Sequence, residues 1–299
     1  MSAKVAAPLA LLLASLGCSE PEVLKSPLDP YPATGVTREF TFTIEEILWE
    51  VGPGAIYKAV TYNRQIPGPP IEVNAGDHVV VHVINKAKDP HSIHTHVVKF
   101  THANDGTDDD IAKPGETKIV EWDAVYAGTF PYHDHGDEGE GLTRGLIGAL
   151  IVHAPEELAA HEHVVVLADF DQARYKTLPG IADPVTMEFP DGGTYRGGHE
   201  YMHTINGKGY PDAIPPFLGR VGEISRWRVV SIGRELHTWH IHGHRWLDGS
   251  GNITDNVQLA PGTYTTFEFV EDNPGDWLVH CHVPDHMDGG MIARYQVSP

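Results

Sequence analysis

Cysteine is scarce in this chain: 299 residues contain only Cys18 and Cys281. Two cysteines allow at most one intrachain disulfide, and none if Cys18 is modified or removed with a leader. A chain of this length can bury substantial hydrophobic cores, so the fold does not need a covalent crosslink. Cys281 is then free to bind a metal through its thiolate.

Basic residues are also few, 21 against 41 acidic ones, which gives a formal net charge of −20. A surface of this sign repels phosphate backbones, so nucleic acid is not an expected partner. The charge could favour cationic substrates, although solubility is the simpler explanation.

Hydrophobic runs long enough to span a bilayer are missing. The apolar stretch from Val5 to Leu16 is too short for that. With Lys4 before it and Gly17-Cys18 after it, the stretch predicts an export signal over residues 1–18, followed by a linker over 19–35. The segment resembles a lipobox, although Ser15 stands where Leu is usual. We expect an exported protein of the periplasm or cell envelope, either lipid-anchored at Cys18 or released by ordinary signal cleavage.

A convincing helical period is absent from the chain, whereas 31 glycines and 23 prolines separate short β-branched and aromatic runs. These runs predict an all-β fold. The predicted strands include His78–Ile84, Lys118–Trp122, Leu146–His153, His163–Leu167, Ile224–Ser231, Thr263–Val270 and Met291–Val297.

The histidine motifs occur twice. His91-x-x-His94-x-His96 matches His237-x-x-His240-x-His242, and His133-Asp134-His135 matches His280-Cys281-His282. The repeat predicts two copies of one β domain, over residues 36–155 and 156–299, each a Greek-key sandwich or barrel.

Strand geometry sorts these histidines into two groups, because side chains alternate between the faces of a strand. Cys281 should point away from His280 and His282, and His237 should point away from His240 and His242. Cys281 and His237 can then share one site, which His286 and Met291 can join. Thiolate, imidazole and thioether ligands make up a blue-copper electron-transfer site, and the four H-x-H pairs are left for a second metal cluster.

In order and spacing, the four motifs resemble the copper motifs of multicopper oxidases, and the length resembles the small bacterial two-domain laccases. The resemblance implies two cupredoxin-like Greek-key β-sandwich domains with four copper ions per chain. It implies that electrons from a phenol or similar donor reduce O2 to water. The implied ligands are His237, Cys281, His286 and axial Met291 for type 1 copper, His94 and His240 for type 2, and His96, His133, His135, His242, His280 and His282 for type 3.

The first domain lacks a type 1 set, because Asp134 replaces the thiolate and Gly139 stands where His286 would be. His91 then corresponds to His237 but has no set of type 1 copper ligands around it. This pattern separates the chain from copper nitrite reductases.

The resemblance further implies a homotrimer, with each trinuclear site shared between subunits. It also implies that Asp105, nine residues after His96, supplies protons for oxygen reduction; a turn residue is the alternative.

Two other functions stay open. A metal-ion oxidase acting on Fe(II), Cu(I) or Mn(II) would be supported by acidic residues near His237 or His286, and a copper-binding electron carrier would not consume oxygen. The candidate substrate loops are Leu247 to Val257 and Asp183 to His203. Of the remaining histidines, we expect His161 and His163 at a surface strand start. We expect His199 and His203 in a loop, with a substrate or extra copper contact as the alternative, and His244 in packing or beside the metal ligands.

Overall fold

The structure is a computed structural model that describes residues 29–52, 55–136, 140–171, 201–209 and 213–299. The predicted signal and most of the predicted linker lie outside these residues. Within them, no helix combines the length and the apolar character that a membrane span requires.

The first half of the chain forms eight strands in two four-stranded sheets. One sheet has the order β2-β1-β4-β6 and the other β3-β8-β7-β5. The strands are β1 (Thr37–Gly52), β2 (Ala55–Tyr62), β3 (Ile71–Asn74), β4 (His78–Asn85), β5 (His94–Thr95), β6 (Thr117–Asp123), β7 (Gly128–His133) and β8 (Ile147–His153), with a short helix α1 (Glu140–Arg144) before β8.

The second half repeats this plan after a short connection, residues 154–160. Its sheets have the orders β10-β9-β12-β17 and β11-β19-β18-β13-β16, and a hairpin pairs β14 with β15. The strands are β9 (His161–Asp171), β10 (Tyr201–Ile205), β11 (Phe217–Arg220), β12 (Ile224–Ser231), β13 (His237–Ile241), β14 (Trp246–Leu247), β15 (Ile253–Thr254), β16 (Asn256–Leu259), β17 (Tyr264–Val270), β18 (Gly275–His280) and β19 (Ile292–Ser298), with α2 (Pro284–Asp288) between the last two.

Each pair of sheets encloses its own core. In β4, burial alternates along the strand and places Val79, Val81 and Val83 in the first core. The second core is built around Trp227 and Trp239. The expectation of an all-β fold with two cupredoxin-like sandwiches is confirmed by these sheets.

A third apolar cluster joins the two sandwiches and includes Ile147 from β8 and Val166 from β9. Beside it, the fully buried Arg228 reaches from β12 to Glu162 (2.6 Å) and to Thr129 of β7 (3.2 Å). A buried guanidinium needs such partners to offset its desolvation. The two halves are therefore packed together with the hydrogen bonding of a protein interior.

The expected surface strand start at His161 and His163 is wrong for His163. This ring is only 4% exposed and packs on Trp227 with ring centroids 4.2 Å apart. Side chains alternate along β9, so His163 faces inward together with Val165. Burial lowers the pKa of His163 to about 3.

This buried imidazole should make the apo-protein sensitive to acid. An unfolded His titrates near 6.5, so below that pH the unfolded chain binds a proton that folded His163 excludes, and stability falls until the folded pKa near 3. We expect His163→Phe to retain about 2 kcal/mol more of its pH 7 stability than the wild type at pH 5. Urea unfolding at both pH values measures this difference, with exposed His161→Phe as the control. Parallel losses in H163F and wild type would contradict it.

Candidate metal centres

Cys281, His237 and His286 converge in the second sandwich; with Met291 we call them the thiolate cluster. His237 begins β13, Cys281 directly follows β18, and His286 lies in α2. The Nδ1 atoms of the two imidazoles are 3.1 Å apart, and Cys281 Sγ lies 3.7 Å from His286 Nδ1 and 4.0 Å from His237 Nδ1. Met291 is fully buried and accepts the backbone N–H of Cys281. The structure therefore brings all four predicted residues into one region.

The thiol of Cys281 is set up to ionise. Burial opposes its ionisation, but hydrogen bonds from His237, His286 and the Thr238 backbone outweigh burial and lower its pKa to about 6. A thiolate with two imidazole nitrogens is the donor set that copper prefers in electron-transfer sites. The residues present therefore fit a type 1 copper.

Two carboxylates approach the outer nitrogens of these imidazoles. Asp169 Oδ1 lies 3.0 Å from His237 Nε2, and Glu235 Oε2 lies 3.2 Å from His286 Nε2. Burial lowers the pKa of His237, yet the Asp169 and Cys281 contacts raise it overall to about 9. Partners of this kind fix the orientation of an imidazole ligand and raise its basicity.

His203 lies beside the thiolate cluster, and its expected assignment to a loop is wrong. It lies in β10, is 2% exposed, and stacks on His286 with ring centroids 4.1 Å apart. Its Nε2 is 2.6 Å from Glu235 Oε2. His199 and residues 183–200 of the second candidate loop lie outside the described residues.

The first sandwich gathers four predicted ligands, which we call the first imidazole set: His94, His96, His133 and His135. His96 Nε2 and His133 Nε2 are 3.3 Å apart, and the His135 ring lies 4.7 Å from both His94 and His133. The β5–β7 pairing aligns His94 with His133 across the strands.

The second sandwich repeats this arrangement in a second imidazole set of His240, His242, His280 and His282. The Nε2 atoms of His242 and His280 are 2.9 Å apart, and the rings of His240 and His282 are 5.1 Å apart. The β13–β18 pairing aligns His240 with His280. Each set presents clustered imidazole nitrogens, as expected for half of a copper cluster.

Among the described residues, each ring contact between these histidines joins two members of the same imidazole set. From the second sandwich, Gly262 lies close to His96: a Cβ atom added at Gly262 would be 3.6 Å from the His96 ring. One chain thus carries two separate half-sites.

Burial favours the neutral form of several histidines in the two sets. Burial is the largest cause of the lowered pKa values, and repulsion from neighbouring imidazoles acts in the same direction. Together they lower the pKa of His133 to about 3 and that of His96 to about 4. The pKa values of His242 and His280 are lowered for the same reasons. Neutral imidazoles can bind metal without first losing a proton.

Each set also has an aspartate beside its first histidine. His94 Nδ1 donates to the backbone carbonyl of Asp105 (2.6 Å). The side-chain Oδ1 of Asp105 lies 3.3 Å from the same nitrogen. In the second set, His240 Nδ1 donates to the Asp255 carbonyl (2.8 Å). These bonds leave Nε2 of each ring for a metal. Asp255 was not predicted, because its spacing from His240 differs from the spacing of Asp105 from His94.

The first sandwich contains no thiolate cluster among its described residues. Asp134 occupies the position of Cys281 and lies 2.8 Å from His91 Nδ1, so His91 has a hydrogen-bond partner there. Gly139 lies outside the described residues. His244, expected in packing, is buried and bridges the His242 carbonyl and Glu271.

Residues 43–157 and 184–299 each match a family model described as multicopper oxidase. The chain is 33% identical to a probable nitrite reductase-hydroxylamine oxidoreductase fusion protein of Kuenenia stuttgartiensis, over 83% of this chain and 30% of that protein. It is 29% identical to a human ferroxidase, HEPHL1, over 83% of this chain and 26% of the relative. The chain thus spans only about a quarter to a third of these curated relatives.

Among solved structures, the blue copper oxidase from Nitrosomonas europaea superposes with a TM-score of 0.71 at 27% identity. The match covers 87% of this chain and 86% of that one. It extends over both sandwiches, so the similarity concerns the arrangement of the two halves as well as each motif.

Proposed function

The chain belongs to the multicopper oxidases, and we propose that it couples one-electron oxidation of a small donor to the four-electron reduction of O2 to water. Bound copper would supply both the one-electron transfer and the oxygen chemistry. The observation that carries the proposal is the position of Cys281 between His280 and His282 at the end of β18. A single residue thereby belongs to the thiolate cluster and covalently joins two members of the second imidazole set.

The proposed donor is a reducing cation such as Fe(II). Glu235 is about one-third exposed (34%) and contacts the outer nitrogen of His286, so a cation bound there would lie beside the thiolate cluster. This is the acidic arrangement that favours the metal-ion alternative over the phenolic donor suggested by the laccase resemblance. The name of the human ferroxidase relative and the net charge of −20 support the same choice.

A phenolic or similar aromatic donor is the second candidate. Leu236 is half exposed (50%) directly before His237, so it offers an apolar contact next to the thiolate cluster.

Oxygen uptake by the copper-loaded protein separates these donors. With Fe(II), we expect Glu235→Gln to raise KM about tenfold, because one direct charge contact with the cation is lost. Uptake with a phenol should change less than threefold. Glu223→Gln, which removes a similarly exposed carboxylate (47%) elsewhere, is the control. Uptake with a phenol alone would reassign the donor, and no uptake with any donor would leave the electron-carrier alternative.

We further propose that the active form is a homotrimer in which the first imidazole set of one subunit meets the second set of the next. The separation of the two sets within one chain supports it, because neither set supplies the eight histidines of a trinuclear site. We also propose that residues 1–18 act as an export signal, with or without lipidation of Cys18, and that the oxidase works in the periplasm or cell envelope.

A further inference from the structure

We infer that His91 and Asp134 form a metal-free brace that positions His133 and His135, in the place where the second sandwich uses the thiolate cluster. Asp134 is then a positioning residue rather than a lost copper ligand without a role. The consequence for oxygen chemistry rests on the proposed function, but the brace itself does not.

The brace consists of buried hydrogen bonds. His91 Nδ1 donates to Asp134 Oδ2 (2.8 Å), and both side chains are fully buried. The other carboxylate oxygen, Oδ1, accepts the backbone N–H groups of Ser92 (2.7 Å) and Gly136 (2.9 Å). These bonds compensate a buried carboxylate for its lost hydration.

Two further bonds connect the brace to the ligands. Ser92 Oγ accepts the backbone N–H of His135 (3.0 Å), and the Asp134 carbonyl accepts His133 Nδ1 (3.1 Å). Asp134 therefore fixes its two neighbours in sequence both through its own backbone and through Ser92.

The second sandwich has the same connections around Cys281. Thr238 takes the role of Ser92: its N–H donates to Cys281 Sγ (3.3 Å), and its Oγ1 accepts the N–H of His282 (2.6 Å). The Cys281 carbonyl accepts His280 Nδ1 (2.8 Å). Asp134 thus occupies the same place in the hydrogen-bond network as the thiolate.

The two half-sites should therefore differ in how they depend on metal. The first set is held by groups that the chain itself supplies, so it is ordered before copper arrives. The second set is connected to a thiolate whose two imidazole partners have Nδ1 atoms 3.1 Å apart, so that both nitrogens could bind one ion. Copper at the thiolate cluster would complete that half.

Amide hydrogen exchange on the apo-protein tests the brace without any copper or activity. In Asp134→Ala, the His135 and Gly136 amides should exchange about tenfold faster, because each depends on a bond organised by the carboxylate. Exchange at the His282 amide should stay the same. Asp77→Asn, which alters another buried carboxylate of the same sandwich, is the control. Unchanged exchange at His135 in D134A would overturn the inference.

Copper binding gives the second readout. The Asp134→Ala protein should retain its blue colour at Cys281 but bind fewer copper ions per chain, because Asp134 positions His133 and His135, which are expected to bind type 3 copper. Asp134→Asn keeps an Oδ1 acceptor for Ser92 and Gly136, so it guards against misfolding and should restore part of the copper content. Full copper content in both variants would show that Asp134 only fills space.

Discussion

Replacing Cys281 by serine should remove the blue colour and reduce donor oxidation to background, while copper stays bound to the imidazole sets. The thiolate forms readily because the pKa of Cys281 is lowered to about 6 by its two imidazoles and the Thr238 amide. A serine hydroxyl stays protonated and is a hard ligand, so it cannot replace a thiolate at copper. The visible spectrum, copper content and oxygen uptake with Fe(II) measure the three effects.

Cys18→Ser is the matched control, because it makes the same change at the other cysteine of the chain. It should leave colour and oxygen uptake unaltered. Blue colour in C281S would show that the thiolate cluster is wrongly assigned. Loss of all copper from C281S would show that the imidazole sets cannot hold metal without it, which contradicts the separation into two faces.

Strand alternation was sufficient to predict these two faces. Cys281 and His237 do lie on the side opposite the second imidazole set, although β18 ends at His280 and only the first residue of the His-Cys-His motif is formally in the strand. The alternation extends past the strand because Cys281 N–H still bonds to the Met291 carbonyl beyond it. Local periodicity therefore predicted most of the candidate site.

Contacts between distant segments could not be predicted in the same way. His203 lies 34 residues after Asp169, in a Gly-rich stretch without a repeat partner, and only the β9–β10 pairing aligns the two. The sequence showed that Asp134 cannot replace a thiolate, but it could not show that His91 and Ser92 surround it. The 16-residue β1 was not among the predicted strands, because its burial pattern is only partly alternating.

Mixing two inactive variants should restore oxygen reduction if the trinuclear site forms between subunits. One variant carries His94→Ala with His96→Ala and the other His240→Ala with His242→Ala, so each destroys one imidazole set and keeps the other. In randomly mixed trimers, an interface is intact only when each subunit contributes its undamaged set. About one quarter of the sites, and of the wild-type oxygen uptake, should therefore return.

The recovered activity identifies the arrangement, because a site built within one chain would be damaged in every molecule of the mixture. Co-expression, or unfolding and refolding of the two variants together with copper, allows the subunits to exchange. Each variant treated alone is the control and should stay at background. A mixture that forms mixed trimers by mass spectrometry but regains no activity would contradict the shared site. Loss of trimers in both variants would show that the imidazole sets, with their copper, hold the subunits together, and copper-dependent trimer formation by the wild type would then be the required observation.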